Sequence, residues 1–290
     1  MRLLLRITVI LFALLALFST YLLWRNNIPM PQPSNKQLDA ALENSIHWLI
    51  RHQQDVLNIP NPMLWRMIQQ ASDITNDATL KGLFKNYEDR YLKNHHDNIW
   101  RPLFYPNTWV PVRLEDISSL PPYNLHFIYA YTCDQDLAKV PVIRDQNDTA
   151  FCNHHPLRPA CVTHQMMGML LLKRSNCGDQ KLLDRKIHAL QQHIQRQLKW
   201  DPRVVDVYMQ RVLMLVKSGA DSSVKPVWLW RLMDAQLEDG GWSPFMPLIP
   251  VGNGRSIGVD RLPGIKTPKS SFHMTAQGVL LFSLLTTHHP

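Results

Sequence analysis

The sequence predicts an all-α protein in which one apolar N-terminal helix precedes a domain of consecutive helical hairpins. Apolar residues recur at helical spacing in several segments, for example at Leu38, Leu42, Ile46 and Leu49. The alternating pattern of a β-strand is scarce along the chain. Short turn segments separate the periodic segments, which favours antiparallel neighbouring helices.

The N-terminal segment predicts a membrane-spanning helix. Eighteen uncharged residues, 7–24, lie between Arg6 and Arg25. At 1.5 Å per residue such a helix is roughly 27 Å long, close to the thickness of a bilayer core. The apolar run continues past its only small residues and ends in aromatic ones, so we expect an uncleaved anchor. A cleaved signal peptide is the alternative.

The charges around this segment predict its orientation. Arg2 and Arg6 precede the span, whereas only Arg25 follows it closely. The positive-inside rule therefore places the N-terminus in the cytoplasm and the rest of the chain outside it, in the periplasm if the source is bacterial. We expect the membrane to be a partner through this single-pass helix.

The remaining sequence divides into a linker and one domain. Residues 1–25 form the predicted anchor, and 26–35 form a proline-rich linker. Residues 36–290 form the predicted helical domain. Within it, prolines and aromatic residues at 95–122 exclude regular helix and predict an ordered loop.

Helix-start signals and apolar stripes place the helices of this domain. Ser34 and Gln37 have capping-box spacing, and Asp201-Pro202 opens a later helix. A long glycine-containing loop is expected at 239–268. The predicted helices begin after residues 34 and 62 and cover 78–92, 161–173, 181–198, 204–217, 222–236 and 270–285.

The four cysteines predict disulfides. They fall within forty-five residues, and the expected topology places them in an oxidising compartment. Three connectivities are open; one joins Cys152 to Cys161 and Cys133 to Cys177. The alternative is a metal site. Its ligands would be Cys152, His154, Cys161 and His164, although their spacing matches no standard zinc motif.

The charge and the known motifs exclude some function classes. The net charge is +8, but the basic residues are scattered without a run of five. No nucleic acid partner is therefore expected. The sequence contains no phosphate-binding loop, dinucleotide fingerprint, Gly-x-Ser-x-Gly elbow or His-Glu-x-x-His helix, so no cofactor is predicted.

A repeated pattern near the C-terminus resembles a known superfamily. A helix ending at Gln236 is followed by Asp239-Gly240-Gly241-Trp242 and, after the long loop, by a helix start containing Thr275-Ala276-Gln277. This pattern resembles the helical-hairpin repeat of the α/α-toroid superfamily, which includes terpenoid cyclases and protein prenyltransferase β-subunits. The resemblance implies an α/α toroid, or part of one, around a central cavity.

The enzymatic signatures of that superfamily are mostly missing. Cys133-Asp134-Gln135-Asp136 supplies two carboxylates of an acidic protonation motif but not the full set. There is no Asp-Asp-x-x-Asp sequence, and the zinc ligands of prenyltransferases cannot be matched to residues of this chain. The resemblance therefore implies a fold and not an activity.

The predicted site residues are those that open the inner helices of such a ring. Helix N-termini attract anions, and in a toroid they face the cavity. We expect His164 and His273 to act as general acid and base, with Asp239 orienting one of them. The expected substrate-binding residues are Trp242, Gln165, Thr275, Gln277 and His155.

Two functional hypotheses follow from these features. In the first, the protein is an enzyme that acts on a carbohydrate or lipid-linked substrate in the ring cavity, as a hydrolase or lyase. In the second, it is a non-catalytic envelope protein that binds a protein partner through its helical surface or through residues 99–122.

Overall fold

The computed structural model describes residues 2–106, 108–155 and 157–288. Met1, Asn107, Pro156 and residues 289–290, which fall in the predicted anchor, loop and domain, lie outside the described part. The protein is mostly helical, at 64%. The first helices are α1 (Arg2–Arg25), α2 (Asn35–Arg51), α3 (Gln53–Leu57), α4 (Pro62–Thr75) and α5 (Ala78–Tyr91).

Shorter helices occupy the middle of the chain and longer ones return after residue 160. The middle segment contains α6 (Arg101–Phe104), α7 (Leu114–Ile117), α8 (Pro122–Thr132), α9 (Gln135–Lys139) and α10 (Pro141–Arg144). The remaining helices are α11 (Cys161–Arg174), α12 (Gln180–Trp200), α13 (Asp206–Lys217), α14 (Pro226–Asp234) and α15 (Phe272–His288).

Helix α1 is long and apolar enough to cross a membrane. Its span Arg6–Arg25 has a mean hydropathy of 2.3, and none of it is buried inside the protein. By length and composition the helix fits either a membrane anchor or a signal sequence.

The chain enters the domain immediately after α1, at Asn26. This residue is fully buried. Its side-chain nitrogen Nδ2 donates to the Leu198 carbonyl at 2.6 Å. Its side-chain oxygen Oδ1 accepts from the Tyr208 hydroxyl at 2.8 Å and from Arg231. Its backbone carbonyl accepts from Trp228 Nε1 at 3.1 Å. The segment 26–34 that follows is therefore attached to the domain, since Pro31 O also accepts from Trp230.

Helix α15 is the centre of the core. Most of its side chains are fully buried, including the polar ones of Thr275, Gln277 and Ser283. It packs against α2, α4 and α13. Its apolar residues are distributed around the whole circumference, which is the pattern of an enclosed helix.

The other helices extend this packing in sequence. Helix α13 also contacts α11, and α11 contacts α8. Helix α5 packs against α4, and α12 packs against α11 and α13. Within the described residues no closed ring is shown, so the toroid is not established by this packing.

The glycine-containing segment 239–268 corrects the all-α prediction. It forms a three-stranded antiparallel sheet, β1 (Met246–Gly252), β2 (Arg255–Val259) and β3 (Pro263–Lys266), in the order β1-β2-β3. Met246 pairs with Val259, and Val259 pairs with Pro263. Asn253 and Gly254 join the first two strands with positive φ angles of 51° and 69°, as a tight hairpin requires.

The Asp-Gly-Gly-Trp turn holds α14 to α15. Gly240 has a φ of +86°, and a Cβ there would lie 2.2 Å from the Asn44 carbonyl oxygen, so glycine is required. Trp242 is fully buried, and its indole donates to the Leu232 carbonyl at 2.7 Å. The indole ring also leaves room only for glycine at Gly278 in α15.

The segment 95–122, in which prolines were expected to exclude regular helix, contains two helices of a single turn each, α6 and α7, so that expectation is wrong for these turns. Apolar residues from this region and the following one form a second small core beside the main one, made of Ile117, Leu125, Ile128, Leu137 and Ile143. Trp100 packs against both cores, whereas Trp109 is 83% exposed.

The predicted disulfides are present. Cys133 is bonded to Cys177, and Cys152 to Cys161. The first bond joins the end of α8 to the turn after α11, and the second closes the loop that precedes α11. This selects one of the three connectivities that the sequence left open and supports an oxidising, extracytoplasmic location.

We expect Asn26→Ala to destabilise the protein. The substitution leaves the Leu198 carbonyl, the Tyr208 hydroxyl and one nitrogen of Arg231 without their partner in a buried setting. The expected loss is about 1–3 kcal/mol in the free energy of unfolding, measured by chemical denaturation. Asn94→Ala, at an exposed asparagine, is the matched control. Equal stability of the two variants would contradict the role of the junction.

A pair of glycine substitutions tests the packing of Trp242 against α15. A Cβ at Gly278 would lie 2.5 Å from the Trp242 ring, whereas nothing lies within 4 Å of one at Gly82 in α5. Gly278→Ala should destabilise by about 1–3 kcal/mol through overpacking. Gly82→Ala should stabilise by about 0.5–1 kcal/mol, because alanine favours helix. Thermal unfolding of both variants measures whether the two substitutions change stability in opposite directions.

Candidate functional site

The candidate site is a cleft at the N-terminal ends of five helices. It has a volume of about 360 Å³ and contains residues from the starts of α4, α8, α11, α13 and α15. His164 and His273 both line it, together with Gln210. We call it the histidine cleft. The structure thus brings together the two histidines that the sequence singled out.

His164 is held in one orientation by its surroundings. Its ring stacks on Tyr123 with a centroid distance of 4.3 Å. Its Nδ1 lies 2.8 Å from the Ala160 carbonyl oxygen. Because a carbonyl only accepts, the proton of the neutral ring is assigned to Nδ1. Nε2 is then the nitrogen with a free lone pair.

His273 is paired with an aspartate from the start of α13. Its Nδ1 lies 2.6 Å from Asp206 Oδ1, and the side chain of His273 is 45% exposed. The amide of Gln277, one turn further along α15, donates to the same carboxylate oxygen at 3.2 Å. The carboxylate therefore fixes the ring with a proton on Nδ1 and favours the charged imidazolium.

The two histidines have pKa values shifted in opposite directions. Burial lowers the pKa of His164, and the nearby His273 adds to this, although the Ala160 carbonyl and Asp206 oppose it. Burial would also lower the pKa of His273, but the hydrogen bond and the charge of Asp206 outweigh it and raise that pKa. Near pH 6.5 one ring is thus mainly neutral and the other mainly charged.

Asp239 lies elsewhere, in the turn before Gly240. Its carboxylate accepts hydrogen bonds from Trp48 Nε1 at 3.1 Å, Ser270 Oγ at 2.6 Å and the Gly241 backbone N–H at 3.0 Å. These bonds lower its pKa against the effect of partial burial. Asp239 ties α2 to the turn, and the carboxylate beside a histidine is Asp206 instead.

Three of the expected substrate-binding residues are part of the core. The ring of Trp242 stacks on Phe282 at 5.6 Å, and Thr275 Oγ1 accepts from the Trp242 backbone N–H at 3.2 Å. Gln165 is buried and donates to the Gln146 carbonyl at 2.9 Å. These contacts are structural, and none of the three residues lines the histidine cleft.

The other two expected residues have different surroundings. Gln277 is fully buried behind His273, and its Oε1 has no hydrogen-bond partner among the described residues. It therefore positions Asp206 and His273 from within the core. His155 contacts Phe151 at a ring distance of 4.8 Å and does not line the cleft.

The metal alternative loses its thiolate ligands. Cys152 and Cys161 are joined to each other, so neither sulfur can bind a metal as a thiolate. His154 is exposed, and His164 faces the cleft instead. Across the part of the chain that the structure describes, no group of three or more His, Cys, Asp or Glu residues could hold a metal ion.

The sequence did not predict Gln210, which lines the cleft, or Asp206, which is bonded to His273 beside it. Asp206 and Gln210 lie one turn apart on α13, and Gln210 Oε1 accepts from Thr163 Oγ1 at 2.6 Å. Their four-residue spacing on a predicted helix was the available signal. Tyr123 and Trp100 also line the cleft, and nothing in the sequence placed them opposite the histidines.

Comparisons with known proteins give no match among protein-family models, curated proteins or solved structures. The resemblance to the α/α-toroid repeat therefore rests on the C-terminal motif residues.

The opposite pKa shifts can be tested by histidine NMR titration. In the native protein His273 should titrate above 6.5 and His164 below it. Asp206→Asn should lower the pKa of His273, because it removes the charge that stabilises the imidazolium. Asp184→Asn, at an exposed carboxylate on α12, should leave it unchanged.

The pairing of His273 with Asp206 also determines the direction in which folding stability changes with pH. Because the folded-state pKa of His273 is raised, its contribution to stability is present below its unfolded pKa and is lost as the pH rises through its folded pKa. Asp206→Asn should remove that pH dependence. A native His273 that titrates at or below 6.5 would contradict the pairing.

Proposed function

We propose that the protein is a membrane-anchored, extracytoplasmic enzyme that uses general acid–base catalysis on a carbohydrate or lipid-linked substrate. The observation that carries this proposal is the histidine cleft, in which two histidines with oppositely shifted pKa values face one space and Asp206 is bonded to one of them. Pairs of titratable groups whose environments separate their pKa values are typical of acid–base catalysts.

The environment of each histidine assigns its role. His164, neutral and with Nε2 free, is the general base that removes a proton from water or from the substrate. His273, held in the charged form by Asp206, is the general acid that donates a proton to the leaving oxygen. These two transfers serve a hydrolase or a lyase, so the reaction class stays at that level.

The walls of the cleft suit the proposed substrate class. Trp100 and Tyr123 contribute aromatic surface, and Asn124 and the two histidines contribute polar groups. Aromatic faces pack against the apolar faces of sugar rings, while a few polar groups fix orientation. The volume of about 360 Å³ suits a small head group rather than a polymer.

Two features support the proposed location. The buried Asn26 joins α1 directly to the domain, which favours retention of α1 as an anchor over its removal. The two disulfides favour an oxidising compartment. With α1 in a membrane, the domain lies on its extracytoplasmic side.

The helix contacts support a partial toroid. Helices α8, α11, α13, α15 and α4 contact one another in that order, and their N-terminal ends meet at the cleft. We propose that these helices form the inner layer of an incomplete ring, with α12, α2 and α5 outside it. This arrangement agrees with the toroid repeat that the C-terminal motif resembles.

The enzymatic proposal is tested with the full chain in detergent and a panel of nitrophenyl glycosides and lipid-linked saccharides. His164→Ala and His273→Ala should each reduce kcat by about 10²–10⁴-fold, the range for loss of a general acid or base. Their melting temperatures should match that of the native chain. His188→Ala, at an exposed histidine on α12, is the control and should keep full activity.

The pH profile sharpens this test. Activity requires neutral His164 and charged His273, so kcat/KM should form a bell with its limbs below and above 6.5. Asp206→Asn should shift the upper limb to lower pH. A reaction that survives both histidine substitutions would overturn the proposal.

The exposure of Trp109 favours a second function, that of a non-catalytic binding protein. Trp109, in the loop 99–122, is 83% exposed, which is unusual for so large an apolar side chain. A non-catalytic envelope protein would use such a residue to bind a protein partner. The absence of turnover across the whole substrate panel would favour this alternative.

A further inference from the structure

A second cavity lies between α4, α11 and α13, separate from the histidine cleft. It has a volume of about 50 Å³. Three cationic side chains line it, Arg66, Arg174 and Lys217, together with the amide of Gln70. The remaining lining residues are methionines and leucines, so the lining contains no carboxylate. We call it the cation cavity.

The three cations have only neutral hydrogen-bond acceptors. Lys217 Nζ donates to Gln70 Oε1 at 2.9 Å, and Arg174 donates to the Leu103 carbonyl at 3.1 Å. Arg66 donates to Gln69 Oε1. Among the described residues, none of the three forms an ion pair within 4.0 Å.

Arg66 adds an unpartnered donor to this arrangement. Its Nε is buried and has no hydrogen-bond partner among the described residues. A buried donor without a partner costs free energy, more so on a charged group. An acceptor in the cavity would remove that cost.

Burial, and to a smaller extent mutual repulsion, lowers the pKa values of Lys217 and Arg66. Burial, Arg66 and Arg174 lower the pKa of Lys217 to about 7. Burial and Arg174 lower the pKa of Arg66 to about 10, and Asp73 is the one acidic group that opposes this. The cavity therefore holds excess positive charge.

Helix dipoles account for only part of the cluster. Arg174 and Lys217 lie in the last turns of α11 and α13, where the dipole favours cations. Arg66 instead lies in the first half of α4 and is directed to the same cavity. Dipoles explain one cation at each helix end, but not three cations around one space.

We propose that the cation cavity binds one small oxyanion of the phosphate or sulfate class through Arg66, Arg174 and Lys217. Guanidinium groups bind such oxyanions through charge-assisted hydrogen bonds. A single water needs about 10–15 Å³ of comparable space, so the cavity has room for several non-hydrogen atoms. Arg174 is exposed, so the ligand can enter past it. The proposal does not depend on His164 or His273.

The test measures the melting temperature of the full chain in detergent with sulfate and with inorganic phosphate, using sodium chloride to keep ionic strength constant. Both anions should raise the melting temperature in a saturable manner. Lys217→Met and Arg174→Gln should each weaken sulfate binding by about tenfold or more, since each removes a charged hydrogen-bond donor. Lys181→Met, at an exposed lysine on α12, should leave binding unchanged.

Lys217→Met also has an expected effect without ligand. Because it removes a repelled cation, the variant should be at least as stable as the native chain. Arg174→Gln, at an exposed position, provides a second folded variant. Loss of the sulfate response in both, with folding kept, supports the site.

The pH dependence of sulfate binding provides a readout that a structural role would not change. Sulfate keeps its charge between pH 6 and 8, and Arg66, with a pKa of about 10, stays charged over the same range. Bound sulfate should raise the pKa of Lys217, so binding takes up a proton above pH 7 and weakens as the pH rises. Lys217→Met should remove this dependence.

The source of the oxyanion is resolved by comparing inorganic phosphate with glucose 6-phosphate and with a short-chain phosphatidic acid. Tighter binding of either ester identifies a phosphate carried by a larger molecule, and equal binding identifies a free anion; both support the site. Melting temperatures that change no more than in the chloride control, or an undiminished response in Lys217→Met, would overturn it.

Discussion

The burial of most of α15 is the constraint on which the rest of the structure depends. A helix enclosed on all sides needs neighbours around its circumference, and α2, α4 and α13 supply them. This enclosure places the start of α15, with His273, beside the start of α13, with Asp206. It also gives Trp242 a buried position against Phe282, which fixes the turn between α14 and α15. The packing of α15 therefore positions both the core residues and the residues of the candidate site.

The sequence predicted those features that depend on local pattern. The capping box of Ser34 and Gln37 is present, and the helices with clear apolar stripes begin and end within a few residues of their predicted bounds. The hairpin at Asn253-Gly254 was missed, although that dipeptide is a local signal, because the surrounding glycines and prolines suggested a loop. Asp206 was missed for another reason: its contact with His273 joins residues 67 positions apart, which no local pattern encodes.

The histidine cleft and the cation cavity share a wall. Met63, Met67 and Met167 line both, so the shared wall contains flexible, unbranched side chains. One space presents acid–base groups and aromatic surface, and the other presents excess positive charge. A substrate that carries an oxyanion beside a sugar or lipid group would have complementary chemistry in both.

The buried junction at Asn26 has a geometrical consequence. A flexible tether lets a domain tumble and sample a hemisphere above the surface that holds it. Asn26 removes this freedom, because four hydrogen bonds join the end of α1 to the domain. With α1 in a bilayer, these bonds would restrict the height and angle of the cleft relative to the lipid plane. Under the proposed function, lipid-linked substrates would then reach the cleft by lateral diffusion in two dimensions.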